Sequence, residues 1–230
     1  MYASKIDTAN ATPFPAALAM FPARALDLGE GDLPMDLGQV MHFSRGAEIF
    51  GQGEKADSLY KVVSGWVRTY RILRDGRRQV EGFYLAGEYF GIEAGGHHRA
   101  SAEALGPATV QVVRRTALND LAARRGDVAA TLFRLAMQGL ERANEHVAML
   151  SHKTACERVA GFLLDIAERA DVRSGLELPM SRQDMADYLS LTIETVSRTL
   201  SQLQAEGLIE IPKSRNIILR NREALEDMCE

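Results

Sequence analysis

The chain has few cysteines and no long apolar run, and each shortage excludes a class of protein. Only Cys156 and Cys229 occur among 230 residues, without metal-ligand spacing such as Cys-x-x-Cys. We therefore expect no zinc site, iron–sulfur cluster, disulfide framework or other cofactor. No stretch of about 18 apolar residues could span a bilayer, and the N-terminus lacks the basic-then-apolar order of a secretory signal. We expect a cytoplasmic protein with no membrane partner.

Net positive charge is also lacking, since the formal charge is -4. This argues against a nucleic-acid partner, because phosphate contacts normally leave a basic imprint on the protein. A small local patch can still be basic on an acidic chain. The sequence also offers no nucleophile with a base, no phosphate loop and no paired carboxylates in a plausible cleft, so we expect no enzyme.

The chain is long enough for two modules, and its texture changes along its length. Prolines and small residues without a period predict an irregular arm over residues 1–37. Residues 38–126 contain short runs rich in Val, Ile, Tyr and Phe between frequent glycines, which predicts an antiparallel β barrel or roll. Asp75-Gly76 predicts a two-residue hairpin. The candidate strands are Ala47–Phe50, Leu59–Val63, Trp66–Leu73, Arg78–Tyr84 and Thr109–Val113.

Residues 127–152 predict one long helix with an apolar seam. Two sets of positions repeat every seven residues, as the a and d positions of a short heptad pattern do. Such a seam is covered either by the β domain of the same chain or by a second copy of the chain, and spacing alone leaves both open. The seam consists of Phe133, Ala136, Leu140, Ala143, Val147 and Leu150.

Residues 153–230 predict a winged helix-turn-helix. A helix over Thr154–Ala170 is followed by a short helix capped by Ser181, a tight turn, and a third helix that Thr192 caps and Gly207 ends. Two further segments, Leu208–Ile211 and Asn216–Leu219, predict a two-stranded wing, and Ala224–Cys229 a last helical turn. Because two-fold DNA sites are read by two-fold proteins, this module favours the homodimer.

The third helix has one face suited to burial and one suited to DNA. At about 100° per residue, Glu194, Ser197 and Arg198 share one arc, opposite the arc of apolar residues. Arg198 can donate two hydrogen bonds to guanine, Glu194 can accept from a cytosine amino group, and Ser197 permits close approach. The alternative is an exposed Glu194–Arg198 ion pair on an ordinary surface helix.

DNA phosphates would be contacted by residues around this helix. Hydroxyls and backbone N–H groups at helix starts, together with nearby cations, position a protein on DNA without reading its sequence. The candidate backbone contacts are Ser181, Arg182, Thr192, Thr195, Lys213 and Arg215.

The segment from Ser181 to Arg198 closely resembles the winged helix-turn-helix of the CRP/FNR regulator superfamily. Gly65-x-Val67-Arg68 and Gly87-Glu88-Tyr89-Phe90-Gly91 resemble the spaced glycines of that family's β roll. The resemblance implies an α+β fold: an N-terminal cyclic-nucleotide-binding-type β roll, a long dimerisation helix and a C-terminal winged helix-turn-helix.

The pattern Glu194-x-x-Ser197-Arg198 resembles the FNR and FixK branch. It implies a homodimer on double-stranded DNA, at a palindromic operator with TTGAT-type half-sites. It also implies an activator that recruits RNA polymerase to low-oxygen-related genes, for microaerobic respiration, nitrogen fixation or denitrification.

The sequence says less about the signal to which the regulator responds than about its DNA site. The chain has no cysteine before Cys156, which excludes the iron–sulfur sensor of FNR-type relatives. Nucleotide-binding relatives use a Gly-Glu and an Arg-Ser pair, whereas here Glu93 and Arg99 are each displaced by one residue. We therefore expect that cyclic AMP binding is lost.

An alternative is an effector-dependent regulator that senses a small ligand, nitric oxide or redox state through the β roll or Cys156. Cys156 would be a redox sensor if its thiol were exposed with a lowered pKa, and a buried structural thiol is the other interpretation. We interpret His97 and His98 as a solvated loop rather than as metal or haem ligands.

Overall fold

The computed structural model describes residues 33–34, 37–172 and 175–229. Most of the arm predicted over residues 1–37 lies outside these ranges. Within them, Leu33 is buried against the long helix and the β domain. None of the described helices is both long and apolar enough to cross a membrane.

Eight strands form an antiparallel roll of two four-stranded sheets. One sheet has the order β1-β8-β3-β6 and the other has the order β2-β7-β4-β5. The strands are β1 (Gln39–Phe43), β2 (Glu48–Phe50), β3 (Ser58–Ser64), β4 (Val67–Ile72), β5 (Arg78–Tyr84), β6 (Tyr89–Phe90), β7 (Ser101–Ala104) and β8 (Ala108–Arg114).

All five predicted strands are present, and three further strands were not predicted. β1 is an exposed strand at a sheet edge, β6 has two residues, and β7 consists of Ser, Ala, Glu and Ala, which carry little strand preference. The predicted β4–β5 hairpin is confirmed, but its turn differs. The Gly76 N–H donates to the Leu73 carbonyl at 2.9 Å, and Gly76 is the one residue of this loop with a positive φ, of 83°. The connection is therefore a three-residue loop ending in a left-handed glycine.

Aromatic rings fill the space between the two sheets. Tyr60 and Phe90 have ring centroids 5.2 Å apart, and Phe50 lies 4.9 Å from Tyr60. Gly91 has a φ of 78°, and a Cβ there would lie 2.6 Å from the Tyr60 ring, so only glycine fits. The interior of the roll is thus an apolar core.

His98 belongs to this core, so the interpretation of both histidines as a solvated loop is wrong for His98. His97 is exposed, but His98 is 2% exposed and its ring stacks on Phe50 at 3.6 Å. Neither ring nitrogen has a hydrogen-bond partner within the described part of the chain, and Nδ1 lies 3.9 Å from Glu93 Oε1. Adjacent residues point in opposite directions, and the inward direction here meets an aromatic pocket.

Two helices follow the roll. α1 (Arg115–Arg124) was not predicted, whereas α2 (Gly126–His152) matches the predicted long helix within two residues at each end. Val128 and Leu135 of α2 pack with Leu118 of α1 on the outside of the roll. The first half of α2 is therefore anchored on its own β domain by one side only.

The C-terminal elements follow the predicted order, and Ser181 and Thr192 cap helix starts as predicted. Thr154 and Ser181 each form a capping box, and Thr192 accepts from the Thr195 N–H. A third strand, β9, joins the predicted wing. The elements are α3 (Ala155–Arg169), β9 (Gly175–Glu177), α4 (Arg182–Leu189), α5 (Ile193–Ala205), β10 (Ile209–Lys213), β11 (Asn216–Leu219) and α6 (Arg222–Asp227).

The C-terminal module packs directly on the second sheet of the roll. The Phe83 ring on β5 lies 5.8 Å from Phe162 on α3 and 5.4 Å from Tyr188 on α4. Beside these rings, Arg169 pairs with Glu88 at 2.7 Å. Burial acts to raise the pKa of Glu88, but the hydrogen bond and charge of Arg169, the Leu85 N–H and the charge of Arg142 together outweigh burial and lower this pKa. The two modules therefore share one apolar core with an ion pair beside it.

We predict that His98 makes folding stability fall on mild acidification. Burial lowers the pKa of His98 below 6.5, although Glu93, Glu54 and Asp57 partly offset burial. Because the folded state disfavours the protonated ring, this stability is fully present above pH 6.5 and is lost as the pH falls below it. We expect His98→Phe to reduce the loss of melting temperature between about pH 7.5 and 5.5, by at least about 2 °C.

Melting followed by circular dichroism at both pH values measures this effect. His97→Phe makes the same chemical change one residue away on an exposed side chain, and it should leave the pH dependence of the wild type unchanged. Equal losses in wild type and His98→Phe would show that His98 is protonated without cost.

Candidate nucleic-acid interface

The third helix of the predicted DNA-binding module, α5, presents the predicted trio outward. Glu194 and Arg198 are exposed and Ser197 is half-buried. On the opposite side Val196, Leu200 and Leu203 are at most 1% exposed, in the core shared with α3 and α4. The structure thus brings the three predicted base-reading side chains together on one accessible face.

Glu194 and Arg198 do not pair with each other within the ranges that the structure describes. Hydrogen bonds from its own backbone N–H and from Thr192 lower the pKa of Glu194. The carboxylate is therefore ionised at neutral pH and able to accept a hydrogen bond from a base amino group.

The hydroxyls that cap α4 and α5 already form hydrogen bonds within the protein. Thr192 Oγ1 lies 3.1 Å from Thr195 Oγ1, and both residues reach the surface at the start of α5. Ser181 donates from its hydroxyl to Asp184 Oδ2 at 2.8 Å and from its backbone N–H to the same oxygen at 2.9 Å. Ser181 can therefore donate to a phosphate only if Asp184 releases it.

Arg182, at the start of α4, has no acidic partner in the part of the chain that the structure describes. Its Nη1 atom is buried and has no hydrogen-bond partner among the residues described. Burial lowers the pKa of Arg182, with no opposing effect from a carboxylate. A phosphate oxygen would supply both the charge and the acceptor that this guanidinium lacks.

The wing carries the two remaining predicted phosphate contacts. Lys213 is the last residue of β10, and Arg215 lies in the two-residue turn before β11. Both side chains are exposed. The cations predicted to approach DNA thus come from α4, α5 and the wing.

The seam on α2 is largely exposed beside the described part of its own chain. Phe133, Leu140 and Val147 are 51%, 53% and 62% exposed, and Met137, which the heptad pattern missed, is 44% exposed. Ala136 and Ala143 are also exposed, whereas Leu150 is half-buried. Large apolar side chains aligned along one helix face mark a surface for association.

The predicted departures from a nucleotide site have a structural counterpart. Glu93 accepts from the Arg99 backbone N–H at 3.1 Å and from Arg99 Nε at 3.2 Å. The Ser101 hydroxyl accepts from the Gln52 N–H at 2.9 Å. The acidic and basic residues that lie one position away from the nucleotide pattern therefore bind each other.

Cys156 has the properties of a structural thiol. It is half-buried, and its Sγ lies 3.6 Å from the sulfur of Met228. Burial raises the pKa of its thiol, and the nearby carboxylates of Glu206 and Glu157 raise it further. A thiol that resists ionisation is a poor redox sensor. No group of three metal-binding side chains occurs in the described ranges.

Sequence reasoning missed the residues that join this interface to the β roll. Arg68 and Arg78 both bind Asp184, the N3 residue of the α4 capping box. The capping box itself was visible in the sequence as Ser181 followed by Asp184. Nothing in the sequence shows that arginines more than 100 positions earlier reach the same carboxylate.

Two family models match the chain in the order of its two modules. A cyclic nucleotide-binding domain matches residues 40–125, and a Crp-like helix-turn-helix domain matches residues 157–228. These matches agree with the expected α+β architecture of a β roll, a long helix and a C-terminal helix-turn-helix.

Relatives match over most of the chain. It is 43% identical over 226 residues to the nitrogen fixation regulation protein FixK of Azorhizobium caulinodans, covering 94% of this chain and 91% of that one. It is 32% identical over 191 residues to the fumarate and nitrate reduction regulatory protein of Escherichia coli, covering 80% and 76%. The structure of FixK2 from Bradyrhizobium japonicum superposes with a TM-score of 0.81 at 42% identity, covering 84% of this chain and 98% of that one. The chain therefore belongs to the CRP/FNR family of transcription regulators, in its FixK-like branch.

Proposed function

We propose that the chain is a homodimeric transcription activator that binds a TTGAT-type inverted repeat in double-stranded DNA. One observation carries the proposal: α5 presents Glu194, Ser197 and Arg198 together on its exposed face while its other face is buried. In this proposal residues 38–126 are a sensor-type β roll, 127–152 the dimerisation helix and 153–230 the DNA-binding domain.

The chemistry of the exposed trio suits the single G·C pair of TTGAT. Arg198 donates two hydrogen bonds to O6 and N7 of the guanine, and the ionised Glu194 accepts from N4 of the paired cytosine. Ser197 is small enough to let the helix approach a neighbouring thymine. Both members of one base pair are then read by two side chains one helical turn apart.

Phosphate contacts hold the helix in the groove. Arg182 has the strongest case, because its guanidinium has no acidic partner in the structure described. Thr192 and Thr195 at the start of α5 and Lys213 and Arg215 on the wing lie at the surface and complete the set.

The second copy of the chain would cover the apolar stripe on α2. The exposed Phe133, Leu140 and Val147 repeat every seven residues, as in a two-helix seam. A two-fold dimer places its two α5 helices, the reader helices, on half-sites about one turn of DNA apart. The helix α2 would therefore provide the dimer interface and also set the spacing between the two DNA-reading helices.

The biological role is proposed from the relatives. Regulators of nitrogen fixation and of fumarate and nitrate reduction match most of the chain. We propose genes of microaerobic respiration, nitrogen fixation or denitrification as targets, with recruitment of RNA polymerase as the activating step.

Cyclic AMP is not part of the proposal. The rings of Phe50, Tyr60, Phe90 and His98 pack against one another inside the roll. Glu93 and Arg99 are occupied by each other. The fold supports DNA binding without a nucleotide.

We predict that Arg198→Ala weakens binding to a TTGAT inverted repeat and relaxes specificity at its guanine. Loss of the bidentate contact should cost about 1–3 kcal/mol per half-site. Fluorescence anisotropy with operators carrying TTGAT or TTAAT half-sites measures both effects. Wild type should prefer TTGAT, and the variant should bind the two operators about equally.

Arg222→Ala is the matched control for this experiment. It also removes one arginine, which is half-buried on α6 and pairs with Glu226 at 2.7 Å. The control should keep the wild-type preference for TTGAT. If Arg198→Ala kept that preference as well, Arg198 would not be reading the guanine.

We predict that Leu140→Glu shifts the dimer towards monomer. A carboxylate at the centre of the stripe would be buried without a partner, or would meet its own copy, in the proposed interface. Sedimentation velocity measures the mass, and we expect affinity for the inverted repeat to fall in parallel.

Gln138→Glu introduces the same charge on α2 at an exposed position away from the stripe. It should leave both the mass and the DNA affinity unchanged. A dimer that tolerates Leu140→Glu would show that α2 is not the seam.

A further inference from the structure

A cluster of charged side chains joins the β roll to the helix-turn-helix. Asp184 of α4 is 3% exposed. Its Oδ1 accepts from Arg68 of β4 and, at 2.6 Å, from Arg78 of β5. Arg78 also binds Asp187 at 2.7 Å, and Arg68 binds both carboxylate oxygens of Glu103 at 3.0 Å. Five charged groups from the two modules thus meet in one place.

The two oxygens of Asp184 have different tasks. Oδ2 accepts from the N–H and hydroxyl of Ser181 and so holds the start of α4, whereas Oδ1 holds the two arginines of the roll. Rotation of α4 away from the roll would break the charge-assisted hydrogen bonds that join Asp184 to Arg68 and Arg78. Breaking a buried pair in this way is costly.

Neighbouring contacts restrict α4 further. Gln79 Nε2 donates to the Asp187 carbonyl at 2.8 Å, which ties the helix backbone to β5. The turn between α4 and α5 is short, with Ser190 in a left-handed conformation at a φ of 53°. Because α4 and α5 share one core, an orientation imposed on α4 is passed to the reader helix α5.

We propose that Asp184 is a positioning residue for DNA reading: through Arg68 and Arg78 it sets the angle of the reader helix relative to α2, without an effector. The inference rests on the proposed function, because it concerns how a dimer engages two half-sites at once. Asp184 itself is buried, so its effect on DNA is exerted through the helices that it holds.

This role has a specific energetic signature. When both readers are held at the correct angle, the second half-site is engaged at a high effective concentration once the first is bound. A reader helix whose orientation is not fixed still makes its own base contacts. It does not gain the high effective concentration at the second half-site. The ratio of affinities for a full operator and a single half-site therefore measures positioning separately from base contact.

Asp184→Asn tests the inference with little change in shape. Its amide oxygen can still accept at the helix cap, but the charge that holds the arginines is gone. Anisotropy titrations use a TTGAT inverted repeat, a probe with one half-site replaced by unrelated sequence, and a repeat whose spacing is changed by about two base pairs. We expect half-site affinity to change by less than about twofold, and the full-to-half ratio and the spacing preference each to fall about 10-fold.

Asp75→Asn is the matched control. It makes the same change in the nearby β4–β5 loop, where Asp75 is exposed and pairs with Arg77 at 2.8 Å. Its full-to-half ratio should equal that of wild type. Arg78→Gln leaves the Asp184 cap intact and should lower the ratio as well, which keeps the test valid if Asp184→Asn does not fold. The two changes together should be less than additive, because both break the same contact.

The outcomes separate this inference from the proposed function. A wild-type chain that does not bind the inverted repeat would overturn both. Wild-type binding with an unchanged ratio in Asp184→Asn and in Arg78→Gln would overturn the inference alone. Equal weakening of full and half operators would also overturn it, since Asp184 would then support base contact rather than position the reader.

Discussion

The exposed face of α5 depends on the burial of its other face. Val196, Leu200 and Leu203 are removed from water against α3 and α4, and burial of each such side chain contributes about 1.5–3 kcal/mol. Because the helix is held by that side, its rotation about its own axis is determined. Glu194, Ser197 and Arg198 must then point away from the protein, and their availability to DNA follows from packing as much as from their own chemistry.

An acidic chain can present a local basic surface because ion pairs are distributed unevenly. In the roll and at the module interface, Arg68, Arg78, Arg99 and Arg169 are all paired with carboxylates. Around α5, by contrast, Arg182 and Arg198 form no ion pair in the described ranges. Net charge counts both groups alike, whereas a phosphate responds to the unpaired cations nearby.

The β roll has the architecture of a nucleotide-binding domain, but its contacts suit a scaffold. Aromatic rings form much of its core, with the buried His98 stacked on Phe50. The second sheet of the roll contributes Phe83, Arg68 and Arg78 to the interface with the helix-turn-helix. In the proposed function, the roll would thus hold the reader rather than report a bound nucleotide.

Local sequence signals determined most of the secondary structure and the reading face. Capping residues, a C-terminal glycine and the apolar period predicted α3, α4 and α5 within one or two residues, because these signals act within about one helical turn. The trio on α5 followed from the same period. Strands β1, β6 and β7 escaped prediction because they are short or lack strand-forming residues, and their pairing comes from partners distant in the chain.

Tertiary structure alone decided which side chains are buried or paired within the protein and which remain exposed. The inward direction of His98, the exposure of Met137 and the grip of Arg68 and Arg78 on Asp184 all depend on segments far apart in sequence. A carboxylate that caps a helix has the same local sequence whether or not an arginine reaches it from another module. Local pattern therefore established which helix can read DNA, and only long-range packing established what holds that helix in place.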